Sequence, residues 1–291
     1  MDIDALNIFV QAYSAGSLAA AARRLKITPM AASRRLLALE DELGVRLMHR
    51  STRSVSLTAE GEAFLSYATS MVETAEAGRA ALAPSDQGAT GLLRVTAAAA
   101  FGRKIIMPIV PRLLEENPAL SIDIEITDGI TDLVGRGMDV GIRIAQLRDS
   151  TLVARRLAPN QRILCAAPAY IERHGTPRTV ADLANHDCIT LSGVSHWPFQ
   201  MGEKERMIRV EGRCSSNSIE GSHEACVGGA GLTVLSDWDI RPEVEAGRLV
   251  PIQLEDGTPR ELSIWAVFPT ARQVLPKVRV FVDHLLAALR A

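Results

Sequence analysis

Residues 17–44 carry the signals for two short helices separated by a tight turn, and they constrain the fold more than any other part of the chain. Ser17 is a good N-cap for the first helix, LAAAARRL, whose alanines let a neighbouring helix approach closely. Thr28 is a good N-cap for the second helix, and Pro29 at its first position removes no N–H that the helix needs. Because Gly44 is placed to end this second helix, the segment predicts a helix-turn-helix.

A further helix precedes this unit, and a β-hairpin follows it. Asp4 is the predicted N-cap of the first helix, which ends at Gly16. After Gly44, the short segments VRLMHRS and SVSLT alternate apolar and polar residues and are joined around Thr52-Arg53. The sequence therefore predicts a winged helix-turn-helix over residues 1–59.

The second helix of this unit has polar residues in its first two turns, which is the part of such a helix that enters the major groove of DNA. Arg34 could bind guanine edges through two hydrogen bonds, and Met30 could contact a thymine methyl group. Arg35 lies beside the apolar stripe and is expected to reach a phosphate or the neighbours of Glu42. Taken alone, the arginines of the wing would be ordinary exposed residues, but after these helices they predict contacts with the DNA backbone or with the neighbouring minor groove. The predicted DNA-binding residues are Thr28, Pro29, Met30, Ser33, Arg34, Arg35, Arg50 and Arg53.

The distribution of charge supports a polyanionic partner for this region. From Arg23 to Arg53 there are eight basic residues and three acidic ones, a local charge of +5 in a chain whose net charge is −2. A basic block on an acidic body is typical of a nucleic-acid-binding module joined to a second unit. The length of 291 residues likewise suits two or three folded units.

Several classes of protein are disfavoured by what the sequence lacks. No apolar run approaches the length that spans a bilayer, and the N-terminus does not read as a signal peptide, so we expect a cytoplasmic protein without membrane contact.

GGAGLT (228–233) follows a predicted helix and precedes a strand, the reverse of the order in a phosphate-binding loop. The six histidines show no HExxH spacing. Cys165, Cys188, Cys214 and Cys226 lie far apart, which favours buried reduced thiols over a metal or redox site. We expect no catalytic residue, metal or cofactor; the alternative to a DNA-binding protein is a cytoplasmic solute-binding or sensor protein.

A long helix capped by Thr58 and running to about Leu82 carries an apolar stripe that needs a partner. The stripe could pack on its own chain, but a second copy is favoured because one helix-turn-helix covers only a half-site. PSDQGATG (84–91) then reads as a flexible connection. Residues 60–91 are therefore predicted to be a linker and dimerisation helix followed by a hinge.

From Leu92 onward, strands alternate with helices, which predicts parallel α/β layers. The predicted strands are LLRVT, SIDIEIT, DVGIRI, RILCAA, CITLS and LTVLS. The predicted helices are GRKIIMPIVPRLLEENP, TDLVGRG, a helix opened by Pro168, TVADLANH, SIEGSHEACVGG and a C-terminal helix from Val274 to Arg290.

The run FVQAYSAGSLAAAARRLKITPMAASRRLLALEDELGVRLMHRSTRSVSLTAEGEAFL resembles the winged helix-turn-helix of LysR-type transcriptional regulators. The matching features are Ala21-Ala22, Leu25, Ser33-Arg34, Leu39-Glu40, Leu43-Gly44, Leu47, Arg50, Leu57-Thr58 and Gly61. Pro29-Met30 depart from the family, which often has Ser or Gln there. The resemblance implies a transcriptional regulator that binds double-stranded DNA as a homodimer or homotetramer and is modulated by a small-molecule effector.

The segments LRVTA, NPALSIDIEITD, DVGIRI and LCAAPAYI extend the resemblance to the effector domain of this family. That domain is similar to periplasmic binding proteins, with two α/β lobes joined by crossing strands and a ligand in the cleft. The resemblance implies an effector domain over 92–291, with lobe I at 92–160 and 268–291 and lobe II at 161–267.

The effector pocket is expected beyond the carboxyl ends of the strands and near helix N-termini. Ala97-Ala98-Ala99-Ala100 stand where many relatives offer a hydroxyl group for a carboxylate. Arg143 could clamp a carboxylate, which predicts a small organic anion as effector; it could equally pair with Asp128 or lie on the surface. The predicted effector-binding residues are Thr96, Ala98, Ala99, Phe101, Thr127, Asp128, Arg143, Ser192 and Asn217.

Overall fold

The structure is a computed structural model that describes residues 1–50, 55–81, 88–129, 131–146, 153–269 and 275–290. Its N-terminal unit contains α1 (Ile3–Ser14), α2 (Leu18–Arg24) and α3 (Pro29–Leu43), followed by strands β1 (Met48–Arg50) and β2 (Val55–Leu57). The two strands pair antiparallel, with Met48 opposite Leu57. The winged helix-turn-helix is thus present in the predicted order. Thr52-Arg53 and residues 84–87 of the predicted hinge lie outside the described residues.

The helix ends of this unit follow from capping side chains. The Ser17 hydroxyl accepts the Ala20 N–H at 3.1 Å, and the Thr28 hydroxyl accepts the Ala31 N–H at 3.2 Å, as predicted. The predicted cap at Asp4 is wrong. Asp2 is extended and its carboxylate accepts the Asp4 N–H at 3.0 Å, so the helix begins two residues earlier and Asp4 lies within its first turn.

The long helix α4 (Ala59–Ala81) begins where predicted, since the Thr58 hydroxyl accepts the Gly61 N–H at 3.0 Å. Ala68 and Val72 are buried against α1 in the same apolar cluster as Phe9. Part of the apolar stripe therefore packs on its own chain, which was the alternative to pairing with a second copy.

The first lobe contains a five-stranded sheet in the order β4-β3-β5-β15-β6. Its strands are β3 (Gly91–Ala97), β4 (Leu120–Ile126), β5 (Val140–Ala145), β6 (Val153–Asn160) and β15 (Leu262–Phe268). β3 is parallel to β4 and β5, whereas β15 is antiparallel to β5 and β6. The predicted second lobe ran to residue 267, but this pairing places β15 in the first sheet. TDLVGRG, predicted to be a helix, forms turns in which the Asp132 carboxylate accepts the N–H groups of Val134 and Gly135.

Two helical segments cover this sheet. α5 (Ala99–Phe101), a π-helical turn (Gly102–Ile106) and α6 (Met107–Glu116) follow one another without a break. α10 (Pro276–Ala288) is the predicted C-terminal helix, and it buries Phe281 and Leu285 with Phe101 and Leu113 in one apolar core.

The second lobe is less parallel than predicted. Its elements are β7 (Arg162–Ala166), α7 (Pro168–His174), a 3₁₀ helix (Val180–Asn185), β8 (Thr190–Leu191), β9 (His196–Met201), β10 (Lys204–Arg209), β11 (Ser215–Ser216), α8 (Ile219–Val227), β12 (Thr233–Ser236), α9 (Asp237–Glu245), β13 (Val250–Ile252) and β14 (Thr258–Pro259). β12 and β13 flank β7 antiparallel, whereas β8 and β11 pair parallel and a single parallel bridge joins Cys188 to Leu232. The hairpin β9–β10 was not predicted, although Gly202 at φ +59° in its two-residue loop is a recognisable turn signal.

The glycine-rich segment after α8 has the predicted role, and the four cysteines are free thiols. α8 ends at Gly228-Gly229, where Gly229 has φ +77°, so GGAGLT is a helix end followed by a strand. Cys165, Cys188 and Cys226 are buried free thiols, while Cys214 is partly exposed.

Within the described ranges, we find no helix of the length and apolarity needed to cross a membrane.

Candidate DNA-binding surface and effector cleft

The N-terminal half of α3 presents most of the predicted DNA-binding residues to solvent. Met30 is 82% exposed, Thr28, Pro29 and Arg34 are exposed, and Ser33 is partly exposed. Ala32 and Leu36 on the opposite side are buried in the core. This division gives α3 a free polar face in its first two turns, where a recognition helix contacts base edges.

Arg35 is engaged within the protein. Its guanidinium donates to the Asp4 carboxylate of α1 at 3.0 Å, and both side chains are partly exposed. Glu42, the other expected neighbour, binds the N-terminal amine of Met1 at 2.8 Å instead. Arg35 therefore links α3 to α1, and its phosphate contact stays a prediction.

A buried carboxylate fixes the wing against α3, and sequence reasoning missed its role. Glu40 is 3% exposed, and its Oε1 atom accepts the N–H groups of Leu47 at 2.8 Å and Met48 at 3.2 Å. Arg46 lies 3.8 Å from the same carboxylate. The indication of this role in the sequence is an acidic residue directly after a leucine of the apolar stripe of α3. Arg50 lies in β1, but its side chain and Arg53 are outside the described part of the chain.

A cavity of about 510 Å³ lies between the two lobes of the effector region. Seven of the predicted effector-binding residues line it: Ala98, Phe101, Thr127, Asp128, Arg143, Ser192 and Asn217. Thr96 and Ala99 adjoin it rather than line it. Thr96 is fully buried and accepts a hydrogen bond from Arg143, and the Ala99 N–H donates to Asp128.

Arg143 enters the cavity from β5 in the first lobe. Its guanidinium donates to the Ile142 carbonyl at 3.1 Å and to the Thr96 hydroxyl at 3.2 Å. Burial lowers the pKa of Arg143, with nearby Glu125 opposing that shift. The expected alternative, an ion pair with Asp128, is wrong, since the Asp128 carboxylate accepts the backbone N–H groups of Ala99 at 2.9 Å and Ile219 at 3.3 Å.

A second arginine, Arg162, lines the same cavity from β7 in the second lobe. It donates to the Val234 carbonyl at 2.7 Å. Burial lowers the pKa of Arg162 to about 10, and the nearby charge of Arg260 adds to the shift. No sequence motif marks Arg162 as a cleft residue; the one local signal is an arginine at the start of the apolar strand RILCAA.

Side chains from the two lobes meet beside the cavity, around the π-helical turn that follows α5. Arg103 binds Glu220 of α8 at 2.9 Å, and Lys104 binds Asp239 of α9 at 2.6 Å. Phe101 packs edge-on against Trp238, with ring centroids 5.3 Å apart. π-helical turns are rare and often occur at functional sites, and this one carries two of the three inter-lobe contacts, those of Arg103 and Lys104.

Asp239 is the most buried charge of this junction, at 1% exposure. Lys104 binds the Oδ1 atom of Asp239 and His223 contacts its Oδ2 atom at 3.1 Å, while Glu243 lies 3.7 Å from the other ring nitrogen of His223. Burial alone would raise the pKa of Asp239, but hydrogen bonds from His223 and Lys104 hold it below its ordinary value. The described residues include no cluster of three or more His, Cys, Asp or Glu side chains arranged to bind a metal.

Comparisons with known proteins match both regions of the chain. The family model for the LysR substrate binding domain matches residues 86–290, and the model for bacterial regulatory helix-turn-helix proteins of the lysR family matches residues 3–62. The chain is 33% identical to the HTH-type transcriptional regulator DmlR of Escherichia coli K12 over 284 residues, covering 96% of this chain and 92% of that protein. It is 31% identical to the HTH-type transcriptional activator TtdR of the same strain over 286 residues, covering 97% and 92%. The solved structure of CrgA, a LysR-type transcriptional regulator from Neisseria meningitidis, has a TM-score of 0.64 at 28% identity and covers 100% of both chains.

Proposed function

Since this chain belongs to the LysR family of DNA-binding transcriptional regulators, we propose that Met30, Ser33 and Arg34 read its operator and that a small organic anion in the inter-lobe cleft controls it. The exposed polar face at the start of α3 is the single observation that supports the first part most directly. The cationic cavity between the lobes supports the second. Such a regulator acts in the cytoplasm, where the chromosome lies.

The DNA-binding unit comprises residues 1–59 in this proposal, and residues 60–91 link it to the effector region at 92–291. One recognition helix covers a half-site, so a second copy is needed to bind a full operator. Tyr67 is 60% exposed on α4 and offers a large side chain for that copy to cover. The assembly is a dimer or a pair of dimers, and light scattering on wild type and Tyr67→Glu distinguishes either from a monomer.

The DNA-binding part is tested by fluorescence anisotropy with labelled fragments from upstream of the protein's own gene. Arg34→Ala should lose most of the specific affinity. Arg112→Ala is the matched control, because Arg112 is an exposed arginine that pairs with Glu116 on α6, away from α3. If the wild-type protein bound no promoter fragment better than random DNA, the proposal would fail and a solute-binding or sensor role without DNA would be favoured.

The effector part is tested by thermal shift with a panel of small organic acids. Binding should raise the melting temperature of the wild type because a ligand that binds only the folded state stabilises it. Arg143→Ala should reduce that increase, since its guanidinium is the cationic group that the first lobe places in the cavity. An unchanged response in Arg143→Ala would remove the anion from the proposal while leaving the DNA-binding part intact.

A further inference from the structure

We propose that the cleft ligand is a dicarboxylate, with one carboxylate bound by Arg143 of the first lobe and the other by Arg162 of the second. This inference rests on the proposed function, in which an anion occupies the inter-lobe cavity. It goes further by assigning the number of negative charges and a second binding residue. It also assigns a role to Arg162, which donates one hydrogen bond to the Val234 carbonyl.

Both guanidiniums have capacity left for a ligand. An arginine side chain carries five N–H donors, whereas the hydrogen bonds described above engage two from Arg143 and one from Arg162. Among the described residues, neither arginine has a carboxylate within ion-pair distance. Glu125, the acidic residue whose charge acts on Arg143, is itself bound by Arg136 at 2.5 Å.

Asp128 is the acidic residue among those that line the cavity, and its charge is already balanced. Its two carboxylate oxygens accept the N–H groups of Ala99 and Ile219, at the first residues of two helical segments. The partial positive charges of two helix N-termini together offset about one negative charge. Two arginine charges are therefore left for the ligand, which favours a dianion over a monoanion.

The cavity also suits the shape of such a ligand. Its volume of about 510 Å³ lies within the usual range for small-molecule sites. Thr127, Ser192 and Asn217 supply hydrogen-bonding groups for hydroxyls on the internal carbons, and Trp238 supplies an apolar wall. A ligand with one carboxylate would leave one desolvated guanidinium without a counter-ion, whereas two carboxylates would satisfy both lobes at once.

Isothermal titration calorimetry on the full-length protein tests the charge requirement. The probes are succinate and glutarate, each with and without hydroxyl groups on the internal carbons, and the monomethyl ester of each. An ester keeps the carbon chain of its acid but carries one carboxylate. At least one diacid should bind about tenfold or more tightly than its own ester, since the ester forfeits one charge-assisted contact. Equal affinities for every acid and its ester would overturn the proposal.

Variants test the two arginines. Arg162→Gln and Arg143→Gln should each weaken the best diacid at least about tenfold, to the level of its ester. Arg155→Gln is the matched control, because Arg155 is an exposed arginine on β6 outside the cavity. If Arg162→Gln does not fold, Arg162→Lys keeps a charge without the planar fork and should still weaken the diacid. Wild-type diacid affinity in a folded Arg162 variant would overturn the proposal.

The same preparations separate this inference from the proposed function. If monoacids bind as well as diacids and Arg143→Gln abolishes both, the anion effector stands and the dicarboxylate is wrong. If the protein binds its promoter but no organic acid, the effector half of the proposed function is wrong together with this inference. Tight diacid binding by wild type, lost in both arginine variants, supports both.

Discussion

The proposed DNA-binding surface and the proposed effector cleft both contain arginine, but in opposite environments. Arg34 is exposed on the first turns of α3, whereas Arg143 and Arg162 are partly buried and bonded to backbone carbonyls. An exposed cation attracts any phosphate backbone at long range and is screened by salt. A desolvated cation held in place by the protein binds strongly only where an anion fits the cavity. One residue type thus serves two kinds of recognition.

Buried carboxylates show the same division between the two regions. Glu40 is bound by backbone N–H groups of the wing in its own unit, so its contacts change only if that unit unfolds. Asp239 is bound by Lys104, a side chain from the other lobe, and by His223. Side-chain pairs across two lobes can separate without unfolding either lobe. The contacts of the buried carboxylate in the DNA-binding unit therefore stay the same as long as that unit is folded. The contacts of the buried carboxylate between the lobes can change when a ligand moves one lobe relative to the other.

Salt should separate the two surfaces most clearly. If the assembly contacts six to ten phosphates, raising monovalent salt from about 50 to 200 mM should weaken operator binding by about a thousandfold or more. Anion binding in the cleft should weaken by less than about tenfold, because buried charges are screened much less. Anisotropy and calorimetry in matched buffers measure the two slopes. Equal slopes would contradict the contrast between exposed and buried arginine.

Removing Glu40 should give the next largest effect. Glu40→Ala leaves the N–H groups of Leu47 and Met48 without their acceptor and should destabilise the wing by about 2–4 kcal/mol. Hydrogen exchange of peptides covering residues 36–50 should speed up roughly thirtyfold or more, while the effector lobes keep their protection. Glu42→Ala, on the exposed side of the same helix, is the control and should change little.

Replacing Arg34 tests whether a single exposed side chain contributes to specific or to non-specific DNA binding. Arg34→Ala should cost about 1–3 kcal/mol in operator affinity, or roughly fivefold to 150-fold, with Arg112→Ala as control. If Arg34 reads a base, the loss on random DNA should be smaller than the loss on the operator. Equal losses on both DNAs would assign Arg34 to the phosphate backbone instead.

The DNA-binding unit could be predicted from the sequence because its signals are local. Ser17, Thr28, Pro29 and Gly44 each fix a helix end through their own side chain or backbone, and the structure keeps all four. The exception is the first cap, where Asp2 and Asp4 are both suitable residues two positions apart. Because both residue types are favoured N-caps, the capping preference alone does not decide between such neighbours.

The cleft could be predicted only in part, because its composition depends on contacts between distant strands. Arg143 was found from its place at the end of a first-lobe strand. Arg162 was missed because it joins the cavity only when β7 is placed across from that strand, and no local pattern encodes this. The antiparallel pairing of β7 with β12 was missed for the same reason: alternation of strands and helices does not fix strand direction.

Acid should give the smallest effect, and it should act on the cleft. The pKa of Asp239 is held below its ordinary value in the folded protein, so its ionised form contributes stability above about pH 4. That contribution is lost as the pH falls through the lowered pKa. Melting temperatures measured between pH 5 and pH 3 should therefore fall more steeply for wild type than for Asp239→Asn, which is less stable at pH 7 but lacks this titration. Asp237→Asn, an exposed carboxylate on the same helix that pairs with Arg241, should keep the wild-type slope. If Asp239→Asn also kept it, the acid response would come from other carboxylates and the inter-lobe junction would be as insensitive to pH as a fixed unit.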